Sequence, residues 1–327
     1  MASLTLYCCG GAATNIGKTF HNPGKTMPGF AQIKTCFIDT SGSNKPPVGD
    51  AAFYHIKGYD ESTDGSGKDR SVNLQAAVTA MPDILHTHPP GDYNIVFHSS
   101  SGGSGSVVGP VLVGELLTRG KMVVVIQIGS LTCEQEIRNT RGTVLSYANI
   151  CKSQNKSVSS IYLENNQENS MADVDAMAKV NILLLAALFS GQNHGLDTRD
   201  LQHFLDHSKM TKYEPALVEL RCQNSRDFKA LEKGQAVSSA VTLIRPGENP
   251  DPGMMLSYHS FGEISQDASD AISIPTPIHY HTVQGSFSGI VDRLSHQLQQ
   301  AEELYRVNPV RGIDLSSVKT AVGGIVL

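Results

Sequence analysis

In the first half of the chain, short runs rich in β-branched and apolar residues alternate with helical patterns: Leu4–Cys9, Thr35–Ile38, Ile95–His98, Val123–Ile128 and Ser159–Leu163. Strands separated by helix-length segments are the pattern of a parallel sheet wrapped by helices. Gly, Ser or Asp follows the first four runs. Small polar loops therefore gather at the carboxyl ends of the strands, where open α/β sheets bind ligands.

From Ala172 to Gly191 the chain has no Pro and no internal Gly, begins acidic and becomes apolar on all sides. That predicts a long buried helix. Beyond it, separated strand-like runs (Leu217–Cys222, Ala240–Ile244, Met255–His259, Ile278–Val283) joined by segments such as Arg245–Gly253 predict a second, smaller α+β domain. An apolar stripe of Ile290, Val291, Leu294, Leu298, Ala301 and Leu304 predicts a closing helix near Phe287–Val307, stopped by Pro309. The expected organisation is an α/β ligand-binding domain at 1–171, a central helix at 172–193, an α+β domain at 194–285, and a terminal helix with a tail at 286–327. The tail, Val310–Leu327, ends in Ala-Val-Gly-Gly-Ile-Val-Leu. Such an end is better covered than solvated, on its own subunit or on a neighbour.

Composition narrows the partners. A length of 327 residues, 40% of them apolar, is enough for a large core and two domains. A net charge of -5 provides no global basic field, so no direct nucleic-acid binding is expected. Six cysteines without a CxxC pair fit a reducing cytoplasm and suggest neither a zinc site nor a disulfide framework. No apolar run approaches the roughly 20 residues that span a bilayer, so no membrane insertion is expected.

Two loops carry the chemistry. Gly10-Gly-Ala-Ala-Thr-Asn-Ile-Gly17 follows the first strand, and Ser99-Ser-Ser-Gly-Gly-Ser-Gly-Ser106 leads from Ile95–His98 into an apolar helix. Small residues ahead of a helix let backbone N–H groups close on a phosphate, and the helix dipole favours negative charge there. Two such cradles on one sheet resemble the tubulin/FtsZ family of GTPases, whose signature Gly-Gly-Gly-Thr-Gly-Ser-Gly is matched by Ser101-Gly-Gly-Ser-Gly-Ser-Val107 with Ser for the first Gly, Ser for Thr and Val for the last Gly.

The resemblance implies a Rossmann-like GTPase domain, a long central helix and a smaller α+β domain. It places GTP or GDP on Gly11, Ala12, Ala13 and Asn15, and on Gly102, Gly103, Ser104, Gly105 and Ser106. Asp39-Thr40-Ser41 is similar to the loop that approaches Mg2+, which makes Asp39 a metal candidate and Thr40 a nucleotide contact. Gly65-Ser-Gly67-Lys68-Asp-Arg70 is similar to the loop that senses the γ-phosphate. Glu134 is implied at the ribose and Arg138 beside the nucleotide; their spacing alone equally suits a surface ion pair. Asn181, the polar residue ahead of the most apolar stretch of the central helix, is implied at the guanine edge, where an amide both donates and accepts.

In Gly195-Leu-Asp197-Thr-Arg-Asp200 the carboxylates are three apart at a helix start, a spacing that by itself suits capping. The resemblance makes Asp197 and Asp200 the pair that positions water against the γ-phosphate of the adjacent subunit. It also implies head-to-tail polymerisation of the chain with itself, with the tail as a further contact to the neighbour. The modest length and the altered signature look most like the tubulins of large bacteriophages or of plasmid partition, which implies a bacterial cytoplasm and phage particles or DNA as cargo.

Other readings stay open on the sequence. Gly11-Ala-Ala-Thr-Asn-Ile-Gly-Lys18-Thr19 also resembles the stretched P-loop of dethiobiotin-synthetase-like ATPases, with Lys18 on the phosphates and Thr19 on magnesium. A structural filament protein that polymerises without nucleotide is another. His86/His88 and His279/His281 offer alternating imidazoles but no third ligand nearby, and are read as ordinary histidines.

Overall fold

In a computed structural model the described residues are 2–307, apart from 23, 26, 59–63, 230–235 and 273. The tail beyond Pro309 lies outside them. The first half runs β1 (Ser3–Cys9), α1 (Gly11–Gly17), β2 (Gln32–Asp39), β3 (Phe53–His55), α2 (Leu74–Thr87), β4 (Tyr93–Ser99), α3 (Gly105–Thr118), β5 (Met122–Ser130), α4 (Glu134–Gln154), β6 (Val158–Asn165) and α5 (Met171–Leu188). The second half runs α6 (Thr198–Leu205), β7 (Leu217–Asn224), α7 (Ser225–Lys229), β8 (Ala236–Ile244), β9 (Tyr258–Glu263), α8 (Gln266–Ala271), β10 (Ile278–Gln284) and α9 (Ser286–Val307).

The strands form one ten-stranded sheet in the order β3-β2-β1-β4-β5-β6-β7-β10-β8-β9. Strands β1 to β6 pair in parallel, β10 is antiparallel to β7 and β8, and β8 pairs in parallel with β9. The second half therefore extends the sheet of the first instead of building its own. Pairing of Val158–Ser160 with Leu217–Glu219 covers the edge that β6 would otherwise expose. Past Ser160 the ladder to β7 ends, and Glu164 near the end of β6 is held by both guanidinium nitrogens of Arg293 on α9, at 2.8 Å each.

Both faces of the sheet are buried, as parallel sheets require. Leu4, Leu6 and Cys8 of β1 pack with Ile16, Ile182, Leu185 and Phe204 on one face. Tyr7 and Cys9 pack with Ile84, Leu112 and Tyr147 on the other. Among the described residues no helix is long and apolar enough to cross a membrane.

Helix α5 fixes the geometry of everything that follows. It starts beside the carboxyl end of β6, where Ser170 and Asp173 form a reciprocal capping box. It finishes under the amino ends of the strands: the Ala2 amide donates to the Ser190 carbonyl, and Phe189 stacks on Tyr93 at 4.4 Å. Burial on all sides holds only for its second half. Met171 is 72% exposed, whereas Leu184 to Leu188 are all buried.

Candidate functional site

Strands β1 and β4 are neighbours, so the loops at their carboxyl ends meet. A Cβ on Gly10, whose φ is +87°, would lie 3.0 Å from the Gly105 amide nitrogen. One on Gly105 would lie 2.7 Å from the Cys9 carbonyl oxygen and 3.1 Å from that of Ser99. Glycine is required where two backbones approach so closely. Helices α1 and α3 both start here with no side-chain cap and no acidic residue in the first turn. Their first-turn amides lack intrahelical acceptors, and the positive ends of both helices converge on one spot. Gly11 and Ala12 open α1 on one side, with Ala13 behind them buried in the core, and Gly102 to Ser106 lead into α3 on the other. The Thr40 and Ser104 hydroxyls bridge the rim at 2.6 Å. Asn15 faces the surface and accepts from Lys18 Nζ at 3.2 Å.

The 65–70 loop closes over this cradle. Gly65, Gly67 and Lys68 all have positive φ, and Gly103 packs so tightly on Ser66 that a Cβ there would meet its Oγ at 1.9 Å. Asn139 of α4, buried at 2% exposure, donates to the carbonyls of Lys68 (2.8 Å) and Ser101 (2.9 Å), joining the two loops. Lys68 Nζ donates to Glu136 at 2.6 Å. Arg70 donates to the Ser106 carbonyl at 3.1 Å and to Ser146 at 3.2 Å. Sequence reading singled out Glu134 and Arg138 on this helix, but they lie on its outer side, where they pair with each other and Arg138 reaches Glu302 of α9 at 3.2 Å. The cradle side is Glu136, Asn139 and Thr143. A buried polar row at helical spacing was the available signal.

Asp39 is fully buried beneath the rim. Its Oδ1 accepts from the amides of Thr40 (2.7 Å) and Ser41 (3.2 Å), and its Oδ2 from Asn44 at 2.7 Å. Both oxygens serve to shape the loop. Asp64, also unforeseen, accepts from the hydroxyls of Ser41 and Ser43 and the amide of Gly42, which hold its carboxyl down at about 2. Among the described residues, no group of three or more His, Cys, Asp or Glu is placed to hold a metal.

The P-loop alternative fails on local geometry. Gly11–Gly17 is itself a helix, and Lys18 comes after its last turn, away from the amide cradle at its start. Thr19 caps the Ile16 carbonyl at 2.7 Å.

Next to the cradle, a cavity of about 800 Å³ opens where β6 leaves β7, lined by Thr132, Glu164–Met171, Arg293 and Gln297. Two oxygens in its wall, Asn165 Oδ1 and Gln297 Oε1, are buried and unpaired. Such groups call for a donor. Asn181 is only half-buried, and its amide donates to the Met177 carbonyl of its own helix at 2.9 Å.

The acidic loop sits at the other end of α5. Buried Asn193 donates to the carbonyls of Ala187 (2.9 Å) and Leu188 (3.0 Å), ending the helix. Asp197 Oδ1 accepts from the amides of Arg199 (2.7 Å) and Asp200 (2.9 Å), and Asp200 Oδ2 accepts from the Asp197 amide at 3.1 Å. The pair thus caps α6, as its spacing alone suggested. Burial pushes the Asp200 carboxyl up, but the hydrogen bonds from Asp197, Tyr258 and Ser260 outweigh it and hold it below the ordinary range.

No family model matches the chain. A phage tubulin-like protein of Pseudomonas phage PhiPA3 is 30% identical over 222 residues, covering 68% of this chain and 67% of that protein. Among solved structures, a protofilament of TubZ from bacteriophage PhiKZ superposes with a TM-score of 0.84 at 24% identity, covering all of both chains. The phage tubulin PhuZ with GDP gives 0.83 at 20% identity, again over all of both chains.

Proposed function

The chain belongs to the phage tubulin-like proteins, and from that premise we propose that it is a GTPase that assembles head to tail and completes its active site between neighbouring subunits. One observation carries this reading. The anion cradle and the acidic loop lie at opposite ends of α5, whose 18 residues extend ~27 Å at about 1.5 Å each. Asp200 cannot touch the terminal phosphate of a nucleotide seated on its own Gly11 and Gly102. It can act only on a nucleotide held by another copy, and a head-to-tail contact supplies one.

The cradle fits a nucleotide triphosphate. The phosphates take the amides of Gly11, Ala12, Ala13 and Gly102 to Ser106, with the Thr40 hydroxyl at the rim and Gly67 and Lys68 over the terminal phosphate. Strands lie about 4.8 Å apart, so β6 is roughly 12 Å from the β1/β4 junction, within reach of the base of the same nucleotide. Unpaired Asn165 Oδ1 suits the N1–H and 2-amino donors of guanine, which adenine lacks. We assign no protein carboxylate to Mg2+; bound with the phosphates, it would neutralise charge developing on them.

Phosphoryl transfer needs chiefly positioning and charge compensation. Asp200 orients the attacking water, Asp197 holds Asp200 through the capping box, and loss of the terminal phosphate loosens the contact. The filament works in the bacterial cytoplasm, moving or centring phage particles or DNA. Sedimentation with GTP tests the reading: Asp200→Ala still binds GTP but forms polymers that do not disassemble. Undiminished turnover in that variant would overturn it.

A further inference from the structure

The acidic loop is braced against β9, the outermost strand, at two places. His194 and Glu263 exchange backbone hydrogen bonds at 3.0 and 2.7 Å. At the other end of the strand, the Tyr258 hydroxyl donates to Asp200 Oδ1 at 2.9 Å. A Cβ on Gly262 between them would lie 2.7 Å from Leu196 Cβ, so the loop follows the strand closely. His203, one turn further along α6, meets the Tyr258 ring edge-on at 5.7 Å.

From this geometry we infer that Tyr258 is a positioning residue for GTP hydrolysis, fixing the plane of the Asp200 carboxylate; the inference rests on the role proposed above for Asp200. An aspartate carboxylate turns freely about its terminal bond unless both oxygens are held. Here the Asp197 amide holds Oδ2 and the phenol holds Oδ1. Ser260 adds a further hydrogen bond to the carboxylate; the lone pair left free lies in the plane these donors set, which fixes where a water bound there stands. The Tyr258 bond makes the carboxylate a weaker base. Where positioning outweighs proton abstraction, that is a favourable exchange.

The tests are steady-state GTP turnover per polymerised subunit, assembly with a slowly hydrolysed GTP analogue, and thermal unfolding, on full-length Tyr258→Phe, Asp200→Asn and His203→Ala. Tyr258→Phe keeps the ring and loses the hydrogen bond. Its turnover should fall about tenfold or more, the order expected for a hydrogen bond to a charged group, with assembly threshold and melting temperature unchanged. His203→Ala removes the ring contact and should stay within about twofold of the parent. Equal losses in His203→Ala and Tyr258→Phe would reduce Tyr258 to packing and overturn the inference, as would a melting temperature that falls in step with turnover. Undiminished turnover in Asp200→Asn would sink the role of Asp200 and this inference with it. An inactive Asp200→Asn beside a fully active Tyr258→Phe would overturn this inference alone.

Discussion

The Arg70 guanidinium donates to the Ser106 carbonyl, an acceptor that Pro110, four residues on, leaves without its helical N–H. The 65–70 loop is thereby fastened to the first turn of the helix that forms half of the cradle. Arg70→Met should cost about 1 kcal/mol by leaving a buried carbonyl only the longer bond from Thr143 Oγ1 at 3.4 Å, and should also weaken GTP binding by freeing the loop. Adding Pro110→Ala returns an N–H to Ser106. The double variant should therefore recover its melting temperature but not its affinity for GTP. Recovery of both would show that Arg70 only fills a gap in the helix.

Two glycines of the same loop should behave differently. A Cβ on Gly105 strikes the backbone of Cys9 and Ser99, which cannot yield, whereas one on Gly102 has its nearest neighbour at 3.9 Å. Gly105→Ala should lose both stability and nucleotide binding. Gly102→Ala should melt as the parent does while binding GTP more weakly, because only the approach of the phosphates is hindered. Calorimetry and nucleotide titration on the two variants check this.

Stability should fall in acid for a nameable reason. Burial lowers His98 and His207 to about 4 and His281 to about 3. Near pH 6.5 the unfolded chain begins to take up protons that these folded imidazoles refuse, so stability is level above that pH and declines below it towards 4. Each histidine contributes about 1.4 kcal/mol per pH unit in that window. Denaturant midpoints from pH 8 to 4 measure the slope, which His281→Leu should make shallower. A flat profile between 6.5 and 4.5 would contradict the burial of neutral imidazoles.

Removing Val310–Leu327 tests the apolar tail. If it contacts the neighbouring subunit, the truncated protein should need a higher concentration to sediment with GTP while binding the nucleotide as before. An unchanged threshold would leave the tail without a part in assembly.

The parallel half of the sheet was legible in the sequence because periodicity and turn residues agree in it. Strands β1, β2, β4, β5 and β6 lie where β-branched runs stand, each extended by one to four residues where ladder pairing continues past the apolar core. Strand β3 was not legible, since Phe53-Tyr-His55 carries no alternation and pairs only at an edge. The run at Met255–His259 appears shifted to Tyr258–Glu263, because Met255 is 99% exposed and pairing begins only where Ser239 meets Tyr258. Both cradles could be read from their glycines, a backbone requirement written directly in residue type. What ties them together could not. Glu136 and Asn139 stand at helical spacing on α4, but their partners in the 65–70 and 99–106 loops, like that of Arg70, are set by long-range contacts, and the place of Asp39 in its loop depends on Asn44 and two amides.

The central claim is that hydrolysis needs two subunits. It is tested most directly by measuring GTP turnover per subunit across a range of protein concentrations, with sedimented polymer followed in the same samples. With the cradle and Asp200 at opposite ends of α5, turnover should be negligible below the assembly threshold and rise in proportion to polymer above it. Constant turnover per subunit at concentrations where nothing sediments would contradict the account.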